Sequence, residues 1–347
     1  MDMKELFKKM REHGRWVRSI FGEENLAAVP LFDECLSYPI EDLAELTRMT
    51  EKIESCTTEE EMRSLLPAFK KKREEIEAKK RPAGKIFLWN EEIPTLTEYT
   101  DNSEYLYNHN PDFEPFMYEM LLDESVTPKG AILFCAGGDH GFPVLCEAYQ
   151  SALDFLERGY QCFLLLNRPN LNPWTDKEAG ADAARAIRII RANAEKYRIR
   201  EDNIAYAGFS NGGLTGEGCI RYYSGNKTMK DVFPGYTPDA LDDVSADMNA
   251  FLCIYGPRMH DAVFDYEGVV YPPTFHAVGM EDFNLENIQA LYPELVSHGI
   301  YCEVHTFSGV PHGMAGRRLV DGYVKYPNFE TWIILADSFL LHVFARG

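Results

Sequence analysis

The sequence predicts an α/β protein, with a mostly parallel, doubly wound sheet and a helical appendage at its N-terminus. Three observations carry that prediction. Short, continuously apolar runs recur from residue 116 onward, as strands buried on both faces require. Helical patterns separate these runs. One run ends in a glycine-flanked serine and passes straight into another helical pattern, a strand–turn–helix junction.

The first eighty or so residues read differently. Leu6, Met10, Val17 and Phe21 recur at helical spacing, and Pro39 suits the first turn of a following helix. Thr58 and Glu61 form a capping-box pattern ahead of a charged helical stretch, which Pro67 is expected to kink or break. R-P-A-G at 81–84 closes the segment like a linker. Residues 1–82 are therefore assigned to a helical segment, serving as a cap or as a homo-oligomer contact. Residues 83–347 form the main body. In that body, strands are expected near 116–122, 130–135, 161–167, 203–208, 251–255, 273–278 and 300–307. Helices are expected near 147–159, with Gly159 as a stop, and over 179–197.

Composition narrows the function. The chain has 347 residues, 45% hydrophobic and 26% charged, in the range of soluble globular proteins. Fifty-five acidic against 35 basic residues leave a net charge of −20. Such a surface repels nucleic acid and anionic membranes, and favours neutral small-molecule substrates. The N-terminus has no secretory apolar core, and no stretch approaches membrane-spanning length. Eight cysteines lack any C-x-x-C pair, and Cys135, Cys162, Cys253 and Cys302 sit in strand-like runs. Free thiols in a reducing cytoplasm account for them. No paired His/Cys spacing suggests a metal.

The chemistry centres on G-F-S-N-G at 208–212, with a glycine two positions to each side of Ser210. An apolar strand leads in and a glycine-rich helix start leads out, the setting of a strained nucleophile turn. A serine hydroxyl needs a base to take its proton, and that base needs a carboxylate to fix its tautomer. On such a turn the acid and then the histidine follow the serine in the chain. Asp282 lies just past the 273–278 strand, and His312 follows the 300–307 strand, both where sites of open sheets gather. Glu281 and Asp261 are rival acids, while His305 and His276 lie within strands. Acyl transfer also needs N–H groups facing the developing oxyanion. Asn211 supplies one, and the C-A-G-G-D-H-G loop at 135–141 supplies the others through Gly138 and Asp139.

Together, GAILFCAGGDHGF, LLLNR, DAARAIRIIR, DNIAYAGFSNGG, PPTFHAVGMED and the PHG loop resemble the α/β-hydrolase superfamily. More narrowly, over roughly residues 115–345, the chain is similar to small bacterial esterases related to acetylxylan and other carbohydrate acetylesterases. The resemblance implies the α/β-hydrolase fold, a triad of Ser210, His312 and Asp282, no cofactor, and release of a short acyl group from a carbohydrate alcohol. The chain departs from the family at Asp139 and His140, where a third glycine and an aromatic are usual, and in its added N-terminal segment. His140, Trp174, Arg258, Tyr266 and Tyr271 are candidate substrate contacts. Two other readings stay open: a serine peptidase or amidase similar to the prolyl-peptidase branch, and a non-catalytic binding protein on the same fold.

Overall fold

The computed structural model describes residues 56–78, 84–90, 92–96, 114–138, 145–168, 175–257, 264–317 and 324–346, with Glu45, Met49, Lys52 and Ile53 ahead of them. Asp139, His140, Trp174, Arg258 and the rival acid Asp261 lie outside the described residues.

Helix α1 (Glu59–Ala78) opens with the expected capping box: the Glu61 N–H donates to Thr58 Oγ1 at 3.2 Å, and Glu61 Oε2 accepts the Thr58 N–H at 3.3 Å. Contrary to the expected break, the helix runs on through Pro67. Pro67 and Arg63 are both exposed, so water can meet the carbonyl that proline leaves without its helical donor.

Next come β1 (Gly84–Phe87), β2 (Phe116–Met120), β3 (Ala131–Cys135), α2 (Leu145–Glu157), β4 (Gln161–Leu166), α3 (Asp176–Ala192), β5 (Ile204–Phe209) and α4 (Asn211–Tyr223). They are followed by β6 (Ala250–Ile254), β7 (Thr274–Gly279), α5 (Leu285–Ser297), β8 (Cys302–Phe307) and α6 (Trp332–Phe344). The strands form one eight-stranded sheet in the order β1-β2-β4-β3-β5-β6-β7-β8. β2 is antiparallel to both of its neighbours, and every pair from β4 to β8 is parallel. All residues of β3 to β7 are buried, which is why their sequences read as unbroken apolar runs.

Two apolar layers cover the sheet. On one face Ile132 and Phe134 pack with Ala152 and Phe155 of α2 and with Trp332, Ala336 and Phe339 of α6. Ile53 and Phe69 are buried in that same cluster, so part of the N-terminal segment seals the body's core. On the other face Leu133 and Cys135 pack with Ala183, Ile187 and Ile190 of α3 and with Cys219 and Tyr223 of α4.

α3 begins before the expected residue 179, because Thr175 and Glu178 form a capping box. It ends at Ala192, where the Asn193 side chain donates back to the Ile189 carbonyl at 2.8 Å. Gly159 follows α2 with φ of +91°, the stop its position suggested. The seven cysteines among the described residues are free. Burial pushes the Cys135 and Cys146 thiols up to about 12, away from thiolate chemistry. No helix among the described residues is long and apolar enough to cross a membrane.

Candidate active site

The turn between β5 and α4 is strained. Ser210 has φ of 49° and ψ of −118°, outside the regions open to most side-chain-bearing residues. Neighbouring backbone fixes that geometry: the Ser210 N–H donates to the Ile254 carbonyl at 3.0 Å, and its own carbonyl accepts the Gly213 N–H at 2.8 Å. The flanking glycines exist for lack of space. A Cβ on Gly208 would lie 2.4 Å from the Gly212 carbonyl oxygen, and one on Gly212 would lie 2.2 Å from the Cys135 carbonyl oxygen. Strand, turn and helix can approach this closely only without side chains, and the approach projects Ser210 over the carboxyl end of the sheet.

There Ser210 Oγ meets His312 Nε2 at 2.8 Å. His312 Nδ1 lies 3.0 and 2.9 Å from the two oxygens of Asp282. Asp282 is 5% exposed, and its Oδ1 also accepts the Asn284 N–H at 2.8 Å. The acid loop is pinned beside the histidine loop, because the Glu281 N–H donates to the Val310 carbonyl at 3.0 Å. The rival acid Glu281 is exposed and lines the groove beside His312. His276 is buried within β7, and His305 lies on β8 beside Glu303 and Phe275. Three side chains distant in sequence thus lie in line, carboxylate to imidazole to hydroxyl, each within hydrogen-bond distance of the next.

Gly138, in the loop after β3, has φ of 152°, a value that disfavours side chains. Asn211 is the first residue of α4, at the end of the helix where N–H groups point outward. The Gly137 N–H is already bonded to the buried carboxyl of Glu147 at 2.8 Å.

Two expected substrate contacts need correction. Tyr266 stacks on His298 with ring centroids 3.8 Å apart, and its hydroxyl donates to Glu294 Oε1 at 2.8 Å. Tyr271 packs against it and against Phe264. Both belong to the crossover returning to the start of β7, where Pro273 accepts the Phe251 N–H of early β6 at 2.9 Å. That is the amino end of the sheet, opposite Ser210, so these tyrosines pack the crossover.

Residue types alone gave no sign of three neighbours of the site. Phe283 is 76% exposed, yet its ring lies 4.2 Å from the His312 ring. It borders an open groove of about 550 Å³ whose lining includes Met280, Leu285, Pro311 and His312. Tyr255 follows β6 with φ of 40° and stands edge-on to His312. Glu147 is the third. Among the described residues no group of His, Cys, Asp and Glu is arranged to hold a metal.

The sheet order, the serine turn and the two strand-end loops define the α/β-hydrolase fold. No family model matches the sequence. Solved structures sharing the fold include the acetyl ester-xyloside bifunctional hydrolase of Caldicellulosiruptor lactoaceticus, at 22% identity and TM-score 0.56, covering 75% of this chain and 96% of that one. Esterase 2 of Thermogutta terrifontis with propionate bound matches at 18% identity and TM-score 0.54, over 73% of this chain and 96% of that one. The same esterase phosphorylated by paraoxon matches at 18% identity and TM-score 0.55, over 75% and 94%. In sequence, 127 residues are 29% identical to endo-1,4-beta-xylanase B of Butyrivibrio fibrisolvens, covering 34% of this chain. The match spans only 20% of that xylanase's length.

Proposed function

We propose that this protein is a serine esterase that hydrolyses short-chain acyl esters, acetyl esters of carbohydrate alcohols foremost. One observation carries the reading. A serine held in a strained turn sits 2.8 Å from a histidine whose other nitrogen faces a buried carboxylate. Structural neighbours that are esterases, one of them acting on acetyl esters and xylosides, support the class of substrate. The distant xylanase similarity supports a carbohydrate alcohol.

In the proposed reaction His312 takes the Ser210 proton as the serine attacks the ester carbonyl. Asp282 holds His312 with Nδ1 protonated and balances the imidazolium that forms. The N–H groups of Asn211, Gly138 and Asp139 meet the oxyanion, Gly137's being committed to Glu147. His312 then returns its proton to the departing alcohol, and water releases the acid by the same route. The groove beside Phe283 receives that alcohol, because the proton is delivered there. No cofactor takes part. Residues 1–82 are an appended segment on a catalytic body of residues 83–347, available for a homo-oligomer contact, and the protein works in the cytoplasm.

The test compares hydrolysis of an aryl acetate, an aryl octanoate and an aryl acetamide by wild type and Ser210→Ala. Acetate turnover that the substitution abolishes is expected, with slower cleavage of the other two. Preferential amide cleavage would replace the reading with a peptidase. No turnover by folded protein would remove it.

A further inference from the structure

Behind the Ser210–His312 pair lies a buried carboxyl that the reaction just described does not use. Glu147 stands in the first turn of α2 and is 2% exposed. Its Oε2 accepts the Gly137 N–H at 2.8 Å, and its Oε1 accepts the Tyr255 hydroxyl at 2.7 Å. That hydroxyl oxygen in turn accepts the Ala315 N–H at 3.3 Å. The Tyr255 ring meets His312 edge-on, with centroids 4.9 Å apart at 65°. The Tyr255 carbonyl accepts the Asn284 side-chain amide at 2.9 Å, two residues past Asp282. One carboxyl therefore ties together the loop after β3, the end of β6 and the loop after β8.

Only the ionised form fits this pattern. A carboxylate accepts both donors at once. A protonated carboxyl must give its hydrogen to something, and the Gly137 N–H cannot reverse. The Tyr255 hydroxyl would have to turn its own proton away, into a buried site where Ala315 already donates to its oxygen. The groups that face Glu147 are His312 and Arg317 from the segment after β8, Tyr255 just after β6 and Cys146 beside it on α2. Burial pushes the Glu147 carboxyl up to about 7, against the hydrogen bonds from Tyr255 and Gly137 and the charges of His312 and Arg317.

We propose that ionised Glu147 is a positioning residue of this site: it holds the Gly137–Gly138 loop and the Tyr255–His312 contact in their working arrangement, and turnover falls when it is protonated. The inference rests on the serine-esterase reading above. If it is correct, His312 cannot take the Ser210 proton once it is itself protonated, and protonating Glu147 slows turnover further, so the acid side of the pH profile is steeper than one proton alone would make it.

The experiment measures kcat and kcat/KM for an aryl acetate between about pH 5 and 9 in wild type, Glu147→Gln and Tyr255→Phe, with Ser210→Ala as blank and a thermal melt of each. The wild-type acid limb of log kcat/KM should be steeper than a slope of one. Glu147→Gln should lower kcat about tenfold or more and reduce the slope to about one. Its Tm, read beside the rate, separates lost positioning from lost folding. Tyr255→Phe should lower kcat while KM stays near its wild-type value.

A Tyr255→Phe enzyme with wild-type kcat overturns the proposal, even if Glu147→Gln fails to fold. So does a Glu147→Gln enzyme with wild-type kcat and slope, or one whose rate and Tm fall together at unchanged slope. Absence of all turnover in wild type would instead remove the esterase reading, and this inference with it.

Discussion

Replacing Asp282 by asparagine tests the relay with almost no change of shape. The effect follows from the count of donors around the carboxylate. Oδ1 accepts both the Asn284 N–H at 2.8 Å and His312 Nδ1 at 3.0 Å, while Oδ2 faces only Nδ1 at 2.9 Å. The asparagine oxygen must take the Oδ1 position, because the Asn284 N–H needs an acceptor there. The amide nitrogen then takes the Oδ2 position and points its hydrogens at His312 Nδ1. The nearer amide favours Nδ1 as the acceptor, over its 3.0 Å contact with the oxygen, which moves the imidazole proton to Nε2, the atom that should receive the Ser210 proton at 2.8 Å. A wrong tautomer of this kind costs about 10⁴ in kcat, or about 5.4 kcal/mol of transition-state stabilisation. Steady-state hydrolysis of an aryl acetate measures it, with KM expected within about threefold of wild type. A thermal melt checks that the near-isosteric variant is folded. A folded Asp282→Asn enzyme within about tenfold of wild-type kcat would refute the reasoning and leave Asp282 as a packing residue.

Other substitutions probe the supports of the site. Gly212→Ala would place a Cβ 2.2 Å from the Cys135 carbonyl oxygen and 2.8 Å from that of Ala136, both backbone. A loss of about 3 kcal/mol or more in urea unfolding is expected, and a variant as stable as wild type would contradict the close approach. Asp182 is fully buried and takes four hydrogen bonds, from Trp89 Nε1 and from the Arg168 N–H, Nε and one terminal guanidinium nitrogen. Asp182→Ala strands a buried guanidinium and should cost about 3–5 kcal/mol in the same assay, whereas a cost near zero would mean water reaches Arg168. Phe283→Ala, at a 76% exposed position, should leave stability within about 0.5 kcal/mol while raising KM for an aryl acetate about fivefold. An unchanged KM would remove Phe283 from the alcohol groove.

What could be read from the chain, and what could not, follows from the range of the interactions involved. The strands from β3 to β7 were legible because burial on both faces leaves no polar alternation to confuse them. β1 carries no such run: Gly84, Lys85 and Phe87 are exposed at the sheet edge, and its pairing with β2 decides its structure. That Ser210, Asp282 and His312 would come near one another was legible because each follows a strand run, and chain order restricts the roles proposed for them. Tyr266 and Tyr271 misled because a crossover visits both ends of the sheet, and composition does not say at which end a tyrosine sits. Glu147 was invisible for a different reason. An acidic residue in a first helical turn is ordinary, since it suits the helix dipole. Its significance arises only when β3, β6 and β8 bring Gly137, Tyr255 and Ala315 around it. The reacting groups must be particular residue types and so mark the sequence. The groups that hold them need only reach across the gap, so many residue types would serve and none announces itself. A site of this kind is therefore found by its nucleophile and understood by the neighbours that the sheet order assembles.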